Sequence, residues 1–220
     1  MSAFAPPTHR LRHRTATAIA LTSAALTLIC GCAPTAPARE PSSSGAVSSA
    51  SPGTTAAAPQ PVAVRAMARS LPERLRIPLI GVDTAVMSLG LLADGEVAVP
   101  PIAAHAPAGW YDGSPTPGQT GPSVILGHVT VGRYGDGVFK QLPRLRAGDR
   151  VSVTRKDGSV ATFAVDSVQT VAKTRFPTQR VYGNVDHPAL RLITCGGTRV
   201  GAAGGYSDNV IVYASLVAAS

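Results

Sequence analysis

Residues 190–195, Leu-Arg-Leu-Ile-Thr-Cys, decide the fold, because a mostly apolar run of this length predicts a buried β-strand. The run ends on Cys195, the only cysteine in the part of the chain expected to fold, so an internal disulfide cannot account for it. Residues 122–127, Pro-Ser-Val-Ile-Leu-Gly, predict a second strand that ends on His128. A β-barrel can bring together a thiol and an imidazole at the ends of two of its strands. This pairing is typical of a cysteine nucleophile with a histidine acid/base.

The N-terminal region has the features of an export signal. Basic residues lie between His9 and Arg14, a mostly apolar stretch runs from about Thr15 to Ile29, and Cys30-Gly-Cys32 follows. The apolar stretch is short for a membrane span, which needs about 20 residues. We therefore expect residues 1–32 to be cleaved, retained as a type II anchor or lipidated at Cys32. The rest of the chain is then extracytoplasmic, either tethered to the outer face of the membrane or secreted.

The remainder divides into a linker and one domain. Residues 33–70 are mainly Ala, Pro, Ser, Thr and Gly, which bury too little apolar surface to fold, so a disordered linker is predicted. Residues 71–220 are enough for a single domain with a substantial core.

The charge of the chain does not indicate a nucleic-acid partner. The 20 Lys and Arg residues exceed the 12 Asp and Glu residues by 8, but several of these arginines lie in the export signal and the others are scattered. No basic cluster alternates with aromatic residues, so no nucleic-acid binding is expected. The acidic residues show neither metal-ligand spacing nor an acidic cluster, and no phosphate-binding or dinucleotide motif is present. We therefore predict no metal and no cofactor.

Short strand-like runs dominate the predicted domain. They comprise residues 74–80, 82–89, 96–99, 122–128, 150–154, 160–165, 168–172, 189–195 and 209–214. Lys156-Asp-Gly-Ser159 predicts a hairpin between two of them, and Asp94-Gly95 predicts another turn. Helical periodicity is scarce, with one short helix or 3₁₀ turn expected in residues 137–143. This pattern indicates an all-β barrel or sandwich.

The residues that flank Cys195 and open the last strand suit acyl transfer. A neighbouring imidazole can increase the thiolate fraction of a cysteine and then donate the proton to a departing amine. A tetrahedral oxyanion also needs a hydrogen-bond donor. Gly196-Gly197 leaves the backbone uncrowded for such N–H groups, and Asp208-Asn209 offers a side-chain donor.

Taken together, the motifs resemble those of a sortase, and they are most similar to the class F sortases of high-GC Gram-positive bacteria. The matching segments extend over about residues 74–214, and their order and spacing carry the resemblance. They are Ile77–Asp83, Gly109–Tyr111, Pro117-Gly118, Val124–His128, Val138-Phe139, Leu145–Asp149, Phe176-Pro177, Leu190–Gly197 and Asp208–Ala214.

This resemblance implies a closed eight-stranded sortase-type β-barrel with short 3₁₀ or helical insertions. It also implies a monomeric cysteine transpeptidase that acts on sorting signals of the LPxTG (Leu-Pro-x-Thr-Gly) type of surface proteins. In such an enzyme Cys195 is the nucleophile and His128 the acid/base. A thioester forms at the Thr–Gly carbonyl, and an amine of the cell envelope resolves it.

One position departs from the family pattern. Sortases usually carry a catalytic arginine five residues before the terminal Ala of the last strand, and here Asn209 stands five residues before Ala214. Asn209, Arg199 in the preceding loop, or the backbone alone could fill that role.

Two other functions remain open from the sequence. An L,D-transpeptidase acting on peptidoglycan also uses an exported β-rich domain with His before Cys, but its Ser-x-Gly before the Cys and its Arg two residues after are absent here. A sortase-like barrel that has lost catalysis and binds envelope components is compatible with Asn209.

Overall fold

The computed structural model describes residues 64–201 and 205–220, and within them eight strands close into a single barrel. The strands are β1 (Pro72–Ile77), β2 (Val82–Leu89), β3 (Ala108–Tyr111), β4 (Gly121–Leu126), β5 (Arg150–Arg155), β6 (Val160–Ala172), β7 (Pro188–Val200) and β8 (Gly205–Ala219). Their order around the barrel is β1-β2-β3-β4-β7-β8-β6-β5. The predicted all-β, eight-stranded barrel is confirmed. The export signal, residues 1–32, and most of the predicted linker lie outside the described residues.

Two neighbouring strand pairs are parallel, and the others are antiparallel. β2 pairs in parallel with β3, and β4 pairs in parallel with β7. The β4–β7 pair aligns Leu126 with Ile193. Because parallel strands end at the same edge, the residues that follow β4 lie beside the second half of β7.

Helical structure within the described residues is short. α1 covers Thr178–Tyr182, and 3₁₀ turns cover Pro78–Ile80, Gly132–Tyr134, Leu142–Arg144 and Lys173–Arg175. The turn at Leu142–Arg144 overlaps the end of residues 137–143, where a short helix or 3₁₀ turn was predicted. α1 was not predicted, because five residues are too few to show a helical period.

Alternation along the strands separates two apolar clusters. The barrel interior is filled from all eight strands, for example by Leu75, Trp110, Phe163 and Leu192. The opposite side of β4, β7 and β8 carries a second cluster, here called the outer-face cluster. It consists of Leu89, Val97, Val124, Leu126, Val181, Ile193, Ile211 and Tyr213. α1 covers part of it through Val181, and the connection between β2 and β3 (residues 90–107) covers another part through Val97.

Some predicted strands differ from the observed ones. Residues 96–99 are not a strand, since only Val97 makes an isolated bridge, to Leu91, around the predicted turn. Residues 160–165 and 168–172 belong to one strand, β6, which has a bulge between Val165 and Ser167. β3 was missed because its four residues include Gly109, which packs beneath the Leu89 side chain. The hairpin at residues 156–159 is confirmed by Gly158 N donating to Arg155 O at 2.9 Å.

A segment before β1 packs against the barrel. Met67 N donates to Gly118 O at 2.8 Å, and the guanidinium of Arg155 donates to Ala68 O. Arg155 is 1% exposed and also donates to Ser159 Oγ at 3.1 Å. Residues 64–70, which the sequence assigns to the linker, are thus held by the β3–β4 connection and the β5–β6 hairpin.

A helix long and apolar enough for a transmembrane span does not occur in residues 64–201 or 205–220.

Candidate active site

Cys195 lies in β7 on the outer face of the barrel. Leu190 and Leu192 point into the barrel interior, whereas Ile193 belongs to the outer-face cluster. Side chains alternate along a strand, so Cys195 shares the face of Ile193. Cys195 is a free cysteine, and the residue is only partly buried.

His128 follows β4 and lies beside Cys195. Gly127 N donates to Ile193 O at 3.1 Å, which continues the β4–β7 pairing one residue past the end of β4. The register that aligns Leu126 with Ile193 therefore places His128 next to Cys195. Val124 and Leu126 belong to the outer-face cluster, so the same alternation directs His128 toward that face. The structure thus brings the two residues together on one surface.

The backbone at His128 is tightly packed. Phe139 N donates to His128 O at 2.9 Å, and Gly137 N donates to Val129 O at 3.0 Å. A Cβ added to Gly137 would overlap the His128 carbonyl, and a Cβ added to Gly127 would strike the Phe139 ring. Since Phe139 is fully buried, this packing fixes the position of the imidazole relative to β7.

The His128 ring makes its hydrogen bond to the connection between β2 and β3. Its Nε2 atom lies 2.7 Å from the carbonyl oxygen of Pro100. Pro100 is buried, and nearby Val97 is fully buried in the outer-face cluster. No sequence signal could identify this contact, because it uses a backbone carbonyl in a loop.

Asn209 is the direct cross-strand partner of Cys195. The two residues are paired in the antiparallel β7–β8 ladder, so their side chains project from the same face. Asn209 is 4% exposed, and its Oδ1 atom is buried without a hydrogen-bond partner among the described residues. An amide is therefore held beside the thiol with unused hydrogen-bonding capacity.

Arg199 lies further along the β7–β8 hairpin. It is exposed and pairs with Tyr206, and its Cζ atom lies 5.6 Å from the centre of the Tyr206 ring. The Tyr206 hydroxyl lies 3.2 Å from Thr130 Oγ1, two residues after His128. Arg199 therefore stands beside the loop that carries His128, whereas Asn209 stands beside Cys195. Sequence reasoning missed Tyr206 and Thr130, which join the hairpin to this loop.

The two glycines after Cys195 form a bulge in β7. The β7–β8 register shifts between Gly196 and Arg199, and Gly197 has a φ of +75°. A Cβ on Gly197 would overlap Asp208 and Ser207. Glycine suits this position because its φ is positive and because β8 side chains approach the backbone closely.

A cationic and aromatic group lies on the same outer face, closer to the start of β7. The guanidinium carbons of Arg180 and Arg191 lie 4.2 and 4.9 Å from the centre of the Tyr213 ring. Arg191 is 6% exposed, and burial lowers its pKa, although Tyr213 and Asp166 act in the opposite direction. These cation–π contacts help to hold α1, which contains Arg180, against β7 and β8. In the sequence, Arg191 stands inside an apolar run. Its contact with Tyr213 could not be predicted, because the two residues are distant in the chain.

Among the described residues, no group of three or more His, Cys, Asp or Glu side chains is placed to hold a metal ion.

The arrangement defines a closed β-barrel with a thiol, an imidazole and an amide on one outer face. The sequence matches the family described as the sortase domain over residues 75–217, which is more than half of the chain. The chain therefore belongs to the sortase family.

Solved sortase structures have a similar fold. Sortase A from Corynebacterium diphtheriae is 21% identical with a TM-score of 0.51, over 69% of this chain and 62% of that chain. Sortase C-1 from Streptococcus pneumoniae is 22% identical with a TM-score of 0.50, over 66% of each chain. Sortase A from Listeria monocytogenes is 16% identical with a TM-score of 0.50, over 69% of this chain and 90% of that chain. The chain thus spans slightly less than two thirds of the corynebacterial and pneumococcal proteins. No curated protein matches the sequence.

Proposed function

We propose that this protein is an extracytoplasmic cysteine transpeptidase that cleaves an LPxTG-like sorting signal and transfers the acyl group to an amine of the cell envelope. The observation that supports the proposal is the β4–β7 register of a sortase-family barrel, from which His128 and Cys195 are expected on the same outer face. The sequence motifs favour class F of high-GC Gram-positive bacteria. Surface proteins are the expected substrates, and the N-terminal segment is the expected link to the membrane.

In the first half of the reaction, Cys195 attacks the carbonyl carbon between Thr and Gly of the signal. The thiol proton moves to His128, the sulfur–carbon bond forms, and the carbonyl oxygen becomes an oxyanion. His128 then gives a proton to the leaving amine as the carbon–nitrogen bond breaks. A thioester on Cys195 remains.

In the second half, an envelope amine attacks the thioester carbonyl. His128 accepts a proton from that amine, the Cys195 thiolate leaves as the new amide forms, and the proton then passes from His128 to the sulfur. The same two side chains therefore serve both halves of the reaction in opposite order.

We assign the oxyanion donor to Asn209. Its position beside Cys195 in the β7–β8 ladder and the two N–H donors of its side-chain amide support this role. A neutral amide supplies a hydrogen bond without the positive charge of an arginine. Arg199 then acts from the β7–β8 hairpin, where its contact with Tyr206 supports the loop that carries His128.

The test uses the full chain, an LPxTG reporter peptide and a small amine. We expect cleavage between Thr and Gly and formation of the new amide, and we expect Cys195→Ala to abolish both. Because Cys195 is only partly buried and lies in no disulfide, this variant should keep its fold by circular dichroism. A peptidoglycan stem peptide is tested in parallel. Its conversion, with no cleavage of the LPxTG reporter, would indicate an L,D-transpeptidase.

Binding of the reporter peptide with no cleavage, together with slow alkylation of Cys195, would instead favour the catalytically impaired binding module. That alternative is retained because Asn209 occupies the position of the usual arginine.

A further inference from the structure

The hydrogen bond between His128 and Pro100 determines which imidazole nitrogen carries a proton. The Pro100 carbonyl oxygen can only accept, so the His128 Nε2 atom at 2.7 Å must be the donor. Among the described residues this is the only hydrogen bond of the His128 ring, so Nδ1 has no partner there. In the neutral imidazole the lone pair is therefore on Nδ1.

The Pro100 carbonyl is held by a constrained backbone. Pro100 is buried and precedes Pro101, and a residue before proline is restricted to extended conformations. The same connection is anchored by Val97, which is fully buried in the outer-face cluster, and by Ala98 N donating to Gly90 O at 3.0 Å. Two consecutive prolines and a buried anchor thus orient one carbonyl toward the imidazole.

We propose that Pro100 is a positioning residue that keeps His128 protonated on Nε2, so that Nδ1 is the atom that exchanges protons during the reaction. This inference rests on the proposed function of Cys195 and His128. The Cys195 S–H bond breaks as a proton bonds to Nδ1, and that proton passes to the leaving amine nitrogen when the carbon–nitrogen bond breaks. The incoming amine later gives its proton to Nδ1. The Nε2 proton stays on the ring throughout, bonded to Pro100.

The connection between β2 and β3 therefore belongs to the catalytic apparatus without contributing a side chain that reacts. It restricts rotation of the imidazole during both halves of the reaction. An imidazole free to rotate would present Nδ1 to Cys195 for only part of the time, and kcat would fall.

Nitrogen-15 NMR of the full chain with labelled histidine tests this directly, with the His128 signals assigned from their loss in His128→Gln. We expect neutral His128 to carry its proton on Nε2, and that proton to exchange with water more slowly than those of exposed His105. A proton on Nδ1, or exchange as fast as in His105, would overturn the proposal.

The variant Pro101→Gly removes the restriction on Pro100, and because Pro101 is exposed the domain should still fold. We expect faster Nε2 proton exchange and a kcat lower by about tenfold, since acid–base catalysis contributes ~10²–10⁴-fold. KM should change little. Pro78→Gly, the same change at an exposed proline in the turn after β1, is the matched control and should alter neither quantity.

A fall in kcat for Pro101→Gly with unchanged Nε2 exchange would contradict the proposal, and so would no change in either. A Cys195 acyl adduct observed in a protein whose His128 carries its proton on Nδ1 would reject this inference and leave the proposed function intact. Absence of any adduct would reject the proposed function itself, and the proton route with it.

Discussion

At the scale of single residues, the pairing of Cys195 with Asn209 is the most consequential feature of the site. Direct cross-strand partners have Cβ atoms about 5 Å apart, so under the proposed function the amide is within reach of the oxyanion on the substrate carbonyl that Cys195 attacks. Arg199 is four residues further along β7 and contacts Tyr206 instead. The two candidates for the third catalytic role therefore occupy distinct places and can be separated by substitution.

Asn209→Ala should lower kcat by about 10²-fold, because removal of one oxyanion donor typically costs that much. Arg199→Ala should lower it by no more than about tenfold, since loss of a supporting contact is less severe than loss of the donor. Steady-state cleavage of the reporter peptide measures both. Asn184→Ala, at an exposed asparagine after α1, is the control and should keep wild-type activity.

A larger loss of kcat for Arg199→Ala than for Asn209→Ala would reverse the assignment and make Arg199 the oxyanion donor.

At the scale of elements, the site depends on how the segment after β4 packs. Gly137 lies against the His128 carbonyl, and Phe139 donates to that carbonyl from a fully buried position. The packing of residues 128–139, together with β4, therefore positions the imidazole.

Gly137→Ala should displace the His128 backbone, because the new Cβ would overlap its carbonyl oxygen. We expect kcat to fall by about 10²-fold, the loss typical of a displacement near 1 Å, with a smaller effect on KM. Gly205→Ala is the matched control, since a Cβ there meets no atom of the described residues within 4 Å. Equal activity of the two variants would show that the packing at Gly137 does not position His128.

The outer face also makes stability sensitive to high pH. The Tyr182 hydroxyl is buried without a partner among the described residues, and burial, followed by the neighbouring Tyr111, raises the pKa of Tyr182. A raised tyrosine pKa means that the neutral form is favoured in the folded state. The stabilisation is complete below the unfolded pKa of about 10 and is lost as the pH rises above it.

Tyr182→Phe should therefore reduce the loss of unfolding free energy above about pH 10, and it should change stability at pH 7 by less than about 1 kcal/mol. Urea denaturation across this pH range measures the effect. Tyr134→Phe, at an exposed tyrosine, should leave the wild-type pH dependence unchanged. The same slope above pH 10 in Tyr182→Phe and wild type would show that Tyr182 is not responsible.

Sequence patterns predicted those elements whose character is local. β7 showed a clear apolar run, and the β5–β6 hairpin had its turn residues. β3 and α1 were missed because they are only four and five residues long and are stabilised by contacts distant in the sequence. For the site, motifs indicated Cys195 and His128, and their catalytic roles remain predictions. The Pro100 carbonyl could not be predicted, because a backbone acceptor carries no residue signature.

At the scale of the whole molecule, the segment before β1 joins the barrel far from Cys195. Met67 bonds to Gly118, just before β4 begins at Gly121, whereas His128 follows the end of that strand. The six residues of β4 separate these points by roughly 20 Å at about 3.3 Å per residue.

Arg155→Ala should release this segment. It removes the hydrogen bonds to Ala68 and Ser159 from a side chain that is 1% exposed, so we expect the unfolding free energy to fall by about 2–3 kcal/mol. Urea denaturation measures the loss, and Arg150→Ala, an exposed arginine of the same strand, is the control. Activity per folded molecule should stay at the wild-type level. A loss of activity without a loss of stability would mean that Arg155 acts on the site.

The most direct measurement for the whole account is intact-mass and peptide-mapping mass spectrometry of the protein after incubation with LPxTG-type peptides and no amine. We predict an adduct with the mass of the peptide up to its Thr, attached to Cys195 and absent from Cys195→Ala. No adduct with any sorting-signal peptide, or an adduct on another residue, would contradict the assignment of Cys195 as the nucleophile of a sortase.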